Sequence, residues 1–264
     1  MARIAVAATA PFGADVLERL ASRHEIAYLL TRPDRPRGRG RRVAPPAAKA
    51  TAERLEIPVR QPERLDSSFD PAVETVVTVA YGVLVPRELL DRARWLNVHP
   101  SLLPRWRGAA PVERALMAGD EEAGVSVIEL VEELDAGPIA AQRPFAICAD
   151  DDAGAVFDRA RGLSPELVEE ALANAHPAPQ RHEGVTYAAK ITPADRELDW
   201  SRPPVDLHNR IRALSPHIGA RGVVEGRPVI VWRSRVADGE LELLEVQPEG
   251  RRRMTYDEFR RGLR

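Results

Sequence analysis

The sequence predicts an α/β protein, a doubly wound and mainly parallel sheet followed by a second, smaller β-rich domain. Two patterns carry this expectation. Up to about residue 175, strand-sized apolar runs alternate with stretches whose apolar residues recur at helical spacing. Beyond the polar, proline-bearing segment 175–184 (AHPAPQRHEG), β-branched runs dominate instead. A chain of 264 residues is long enough for one well-packed domain and a smaller second one. The expected division is 1–175, a linker over 176–200, and 201–264.

Taken in order, residues 3–8 read as a buried strand and 14–22 as a helix with Val16, Leu17 and Leu20 on one face. Residues 25–30 form a second strand. In the segment that follows, Pro33, Pro36, Gly38, Gly40, Pro45 and Pro46 argue against regular structure, so a long surface loop is expected. Loops of that length inside compact domains are usually functional or disordered. A helix over 47–55, a strand over 74–80, a short helix over 86–91 and a strand over 95–99 come next. Residues 112–118 are helical, 126–130 and 139–145 are strands, and most of 153–175 is helix. After a polar connector over 181–199, a helix over 204–214 precedes strands at 223–232 and 241–246. In such parallel sheets ligands sit beyond the carboxyl ends of the strands.

Composition excludes several function classes. Hydrophobic residues make up 44% and charged residues 30%, an ordinary soluble globular balance, and no apolar run approaches membrane length. With no long apolar leader at its start, the chain is expected in the cytoplasm. Cys148 is the single cysteine, so an intrachain disulfide and a thiolate metal cluster are ruled out. Within PFAICAD it is expected to be a buried strand residue. Neither a Walker A motif nor G-x-G-x-x-G occurs, since GRGRRV holds only two glycines. The net charge of −2 conceals basic poles at 31–42 and 251–264. Two such poles suit a phosphate-binding surface. On charge alone, the first pole reads first as a solvated loop in a chain with only Lys49 and Lys190 as lysines.

The chemically informative stretch is LNVHPSLLPRWRGAAP, residues 96–111. A buried strand does not end in Asn97-x-His99 unless those polar groups have partners. Strand alternation puts both side chains on one face, and Pro100 stops the strand just beyond them. Residues 101–104 then supply a turn with backbone polar groups and two leucines, suited to a flat, partly apolar heterocycle. Some thirty residues on, EELDAGPI offers Asp135 in a turn set by Gly137 and Pro138. An amide, an imidazole and a carboxylate together suit acyl transfer to an amine. The amide stabilises an oxyanion, the imidazole takes the proton, and the carboxylate orients the imidazole. Taken singly, each residue has a bland reading as well: a cap for His99, a turn for Asn97, a loop carboxylate for Asp135.

NVHPSLLPRWRGAAP together with LDAGPI resembles the signature of the folate-dependent formyltransferases. Further segments are similar to the branch whose acceptor is methionyl initiator tRNA. They are TRPDRPRGRGRRVAPPAAK, VVTVAYGVLVP and TYAAKITPADRELDWSRP. The resemblance implies a Rossmann-like catalytic domain and a barrel-like, OB-like second domain that binds tRNA. It implies Asn97, His99 and Asp135 as the catalytic trio, and Ser101, Leu102, Leu103 and Pro104 as lining a folate site. Arg39 would lead the contact with the tRNA acceptor end, with Arg41, Arg42 and Lys49 nearby. The formyl donor would be 10-formyltetrahydrofolate, with no metal, no membrane and no protein partner, the chain acting as a monomer.

Three differences from the family pattern stand out. Its usual G-T-P-x-F-A is here Ala8-Thr9-Ala10-Pro11-Phe12-Gly13. The usual Thr of L-D-T-G is Ala136, and the second domain is short between Trp232 and Leu241. Other readings keep a small amine as acceptor (an amino-sugar nucleotide or a glycinamide ribonucleotide), replace the amine by water, or retain only RNA binding.

Overall fold

The computed structural model describes residues 1–37 and 42–263, the side chains of Arg37 and Arg42 apart. Its first half runs β1 (Arg3–Ala8), α1 (Pro11–Ala21), β2 (Glu25–Leu30), β3 (Arg35–Arg37), β4 (Arg42–Ala44) and α2 (Ala47–Arg54). It continues with β5 (Val59–Arg60), β6 (Thr75–Val79), α3 (Arg87–Leu90), β7 (Arg94–His99), β8 (Arg107–Gly108) and α4 (Pro111–Ala118). Then come β9 (Glu122–Glu129), β10 (Ile139–Ala146) and α5 (Ala153–Ala173). The second half holds β11 (Tyr187–Ala188), α6 (Pro204–Leu214), β12 (Ala220–Val224), β13 (Arg227–Ala237), β14 (Glu240–Pro248), β15 (Met254–Thr255) and α7 (Tyr256–Arg261).

The large sheet has the order β10-β9-β7-β6-β1-β2-β5. The pairs β1–β2, β1–β6, β6–β7 and β2–β5 are parallel, and β9 runs antiparallel to β7. The chain builds outward from β1 to β2 and β5, then crosses to β6 and β7, so the strand order reverses beside β1. That reversal opens a crevice at the carboxyl ends, where α/β sheets bind ligands. Burial follows the apolar pattern: Ile4 through Ala8 and the α1 residues Val16, Leu17 and Leu20 are all buried. Burial of each large apolar side chain stabilises the fold by roughly 1.5–3 kcal/mol.

Two compact units emerge. The first comprises residues 1–104, 124–143 and 160–185, and the second residues 105–123, 144–159 and 186 onward. The second carries the antiparallel sheet β12-β13-β14-β15. Its core is built by Leu207, Ile211 and Leu214 of α6 with Val229, Val231 and Val246 of the sheet and Phe259 of α7.

Several expectations need correction. Residues 31–46 are not wholly irregular, because β3 and β4 pair as a two-stranded ladder with Pro36 opposite Val43. A ladder of two strands leaves edges open, so the N–H that proline lacks needs no partner. The strand expected at 223–232 is two strands turned back at Glu225 and Gly226, with φ of 50° and 72°. Positive φ at both central residues suits a tight hairpin, and Glu at the first of them hides the signal. Cys148 is exposed rather than buried. The strand ends at Ala146, and Cys148 enters a turn in which its N–H donates to Asp151 Oδ2 at 2.6 Å. Helix α7 was not foreseen, although Thr255 and Glu258 form a reciprocal capping box at its start. No helix among the described residues is long and apolar enough to cross a membrane.

Candidate active site

Strand β7 brings the first two residues of interest to one face, two positions apart. Asn97 is half-buried and His99 buried. The loop from β9 to β10 adds Asp135, whose carboxylate meets both. Asn97 Nδ2 donates to Asp135 Oδ1 at 3.3 Å, and His99 Nδ1 lies 3.6 Å from Asp135 Oδ2. The side chains of His99 and Asp135 are only 5% and 9% exposed, so this pairing is largely shielded from water. Across the sheet, Thr78 of β6 stands opposite Asn97, and its hydroxyl lies 2.7 Å from Asn97 Oδ1 and 3.1 Å from Leu96 O. A hydroxyl on the amide oxygen and a carboxylate on the amide nitrogen fix which way the Asn97 side chain points. One hydrogen of its NH2 group is taken by Asp135, and the second is left to offer to a carbonyl oxygen.

Asp135 reaches this position through an unusual backbone. Its φ is +49°, a left-handed conformation that non-glycine residues seldom adopt. Two residues on, a Cβ at Gly137 would lie 1.7 Å from Glu129 O, so no other residue lets the loop turn so close to β9.

Residues 101–104 follow β7 directly. Ser101 and Leu103 are buried, Leu102 and Pro104 half-buried. The turn is held by two residues that sequence reasoning missed. Ser126 of β9, opposite His99, donates to Ser101 O at 2.6 Å and accepts from Leu103 N at 3.1 Å. Gln142 Nε2 donates to Ser126 Oγ at 2.7 Å and to Leu103 O at 3.0 Å. Thr78 and Ser126 share one signal that could have found them: a polar residue among apolar neighbours in a buried strand needs a partner; Gln142, exposed and followed by Arg143, carries no such signal. Val83 and Leu84, between β6 and α3, and Val131 and Leu134, between β9 and β10, expose apolar surface, and Arg87 pairs with Glu132 at 3.4 Å.

Arg39 and Arg41 lie outside the described residues, as does the side chain of Arg42. Lys49, on α2, has its ammonium on Asp34 at 2.8 and 3.0 Å. Hydrogen bonds from Gln61 and Lys49 hold the Asp34 carboxyl below its ordinary range. In the crevice beside β1, Thr9 Oγ1 donates to Tyr81 O at 2.9 Å, and burial pushes the Tyr81 hydroxyl up to about 12. Among the described residues no group of three or more His, Cys, Asp or Glu is placed to hold a metal ion.

An amide, an imidazole and a carboxylate meeting at a parallel sheet suit acyl transfer. Comparison with known families bears on which kind. The formyl transferase model matches residues 2–172, and the formyl transferase C-terminal domain model matches residues 190–240. The chain belongs to the formyltransferase family. Its relatives narrow the branch: methionyl-tRNA formyltransferase from Cereibacter sphaeroides is 38% identical, over 98% of this chain and 96% of that protein. That alignment spans 289 positions, more than the 264 residues here, so the relative carries stretches this chain lacks. Two solved structures share the fold. Methionyl-tRNA formyltransferase from Clostridium thermocellum has a TM-score of 0.68 at 15% identity, covering 94% of this chain and 99% of that one. HypX from Aquifex aeolicus in complex with tetrahydrofolic acid has a TM-score of 0.66 at 18% identity, covering 98% of this chain and 46% of that one.

Proposed function

We propose that this enzyme transfers the formyl group of 10-formyltetrahydrofolate to the free amino group of methionyl initiator tRNA, for translation initiation. The observation that carries the proposal is the meeting of Asn97, His99 and Asp135 at one carboxylate. As the amine nitrogen attacks the formyl carbon, the second N–H of Asn97 stabilises the oxyanion that develops, an effect typically worth about 10²–10³ in rate. His99 takes the proton that the nitrogen loses and returns it to N10 of the folate as the bond from N10 to the formyl carbon breaks and tetrahydrofolate leaves, worth roughly 10²–10⁴. Asp135 orients both groups and offsets the positive charge that arises on the imidazole. The attacking amine arrives with the acceptor, so no nucleophile from the protein is needed.

A pinned turn of backbone groups at Ser101–Pro104, with its two leucines, fits a flat and partly apolar ring system such as a pterin. The HypX neighbour, solved with tetrahydrofolic acid, supports a reduced folate in this fold. On this reading Arg39, with Arg41 and Arg42, meets the phosphates of the tRNA acceptor end. Lys49, its ammonium held on Asp34, is the fourth basic residue of this tRNA-binding group. Residues 201–264 form the second tRNA-binding domain. The enzyme works in the cytoplasm as a monomer, with reduced folate and charged tRNA as its partners.

The test offers purified protein 10-formyltetrahydrofolate with competing acceptors: methionyl initiator tRNA, an amino-sugar nucleotide and glycinamide ribonucleotide. Formylation confined to the charged tRNA is expected. Formylation of a small amine with the tRNA left untouched would overturn the acceptor assignment.

A further inference from the structure

We infer that Gln180, in the stretch between the two matched family domains, is a positioning residue that sets the Asp135 carboxylate against Asn97 and His99. The inference rests on the catalytic reading of Asp135 given above. The family models cover residues 2–172 and 190–240, and neither reaches Gln180. In sequence the stretch looks like a connector. In the structure its first part is fastened along the strands that frame the trio. Ala178 and Ile139 exchange two backbone hydrogen bonds, Ile139 N to Ala178 O at 2.7 Å and Ala178 N to Ile139 O at 3.0 Å. Asn174 Nδ2 donates to Ala140 O at 2.9 Å, and Arg94, the first residue of β7, donates through Nη2 to Asn174 O at 2.7 Å.

So fastened, Gln180 is buried, and its single amide nitrogen spans the turn that carries Asp135. It donates to the carbonyl of Asp135 at 2.7 Å and to the carbonyl of Gly137 at 2.8 Å. An NH2 group has two hydrogens in one plane, so two bonds to carbonyls two residues apart fix the turn like a clamp. The clamp acts where a clamp is needed, because Asp135 sits at a φ of +49° that local preference does not favour. Its carboxylate must meet Asn97 and His99 at once. A carboxylate displaced by about 1 Å loses that geometry, and misplacement on this scale costs rates on the order of a hundredfold. Strap, clamp and carboxylate therefore form one unit, and residues 174–180 belong functionally to the active site.

The experiment compares Gln180→Glu and Gln180→Ala with the wild-type chain, and runs Asp135→Asn beside them. Gln180→Glu changes one atom. Above its pKa it sets a carboxylate against two carbonyl oxygens, whereas its protonated form donates one hydrogen bond and restores half the clamp. Expected is a drop in kcat of about tenfold or more at pH 8 in both variants, with KM for folate and tRNA within about threefold of wild type. For Gln180→Glu the deficit relative to wild type narrows as pH falls towards 6, while that of Gln180→Ala stays level. Wild-type kcat in both variants would overturn the inference, and so would a deficit in Gln180→Glu that does not change with pH. Loss that follows the thermal midpoint, with kcat intact in the folded fraction, would also overturn it. If Asp135→Asn keeps full activity, the catalytic reading itself has failed, a result distinct from failure of the clamp.

Discussion

Replacing Ser126 by alanine tests the link between the strand of the proposed catalytic trio and the expected folate turn. Ser126 is fully buried, and its hydroxyl makes three hydrogen bonds, to Ser101 O, from Leu103 N and from Gln142 Nε2. Gln142 keeps a second partner in Leu103 O at 3.0 Å, so its amide is not stranded by the change. The carbonyl of Ser101 and the N–H of Leu103 each lose this hydrogen bond. A buried polar group left without a partner costs about 1–3 kcal/mol. The hydrogen bonds lost here put the cost at about 1–3 kcal/mol. Urea unfolding followed by tryptophan fluorescence reads this as a lower midpoint at unchanged slope. Since the hydroxyl holds residues 101–104, KM for 10-formyltetrahydrofolate should rise about tenfold, equivalent to about 1.4 kcal/mol. KM for the charged tRNA should stay within about twofold. A variant with wild-type midpoint and wild-type folate KM would show that the turn holds its shape without Ser126, and the reasoning would fall.

Gly13→Ala should destabilise the first unit by about 1–3 kcal/mol, outweighing the roughly 1 kcal/mol that alanine gains over glycine in a helix. The added Cβ would sit 2.4 Å from Val79 O and 2.8 Å from the Ala8 Cβ. The double variant Ala8→Gly/Gly13→Ala should regain part of the loss, because the small residues of the family's G-T-P-x-F-A pattern are exchanged here; strictly additive losses in a double-mutant cycle would refute this. Asp195 accepts from Arg114 at 2.7 and 3.0 Å and from the N–H and hydroxyl of Thr192, both at 2.8 Å. These bonds, those from Arg114 foremost, hold its carboxyl well below the usual carboxylate range. A folded pKa below the unfolded one means stability present above about pH 4 and lost as pH falls through the folded value. Asp195→Asn should therefore cost about 2–3 kcal/mol at pH 7, with the gap to wild type closing below about pH 4. A gap independent of pH in thermal unfolding would count against the ion pair as its source.

Local order explains what could be read from the sequence. The period-two and period-3.6 patterns placed β1, β2, β6, β7 and the main helices, because burial of one face is written into neighbouring residues. Asn97 and His99 could be put on one face because they are two residues apart on one strand, with a proline stopping it. The motifs NVHPSLLPRWRGAAP and LDAGPI gave the family before any coordinate. Hidden were features whose signal is cross-chain or disguised: the hairpin at Glu225–Gly226, the exposed turn at Cys148, and the roles of Thr78, Ser126 and Gln142.

The sequence by itself determined the sheet class, the residue types of the candidate site and the side of the strand on which two of them lie. Only the tertiary structure decided that Asp135 closes on both, 38 residues from Asn97 along the chain, and that Gln180, 45 residues further on, holds it there. The physical reason is that hydrogen bonds between distant segments depend on strand register and loop path. Those are set by packing of the whole chain, and no local pattern of residues records them.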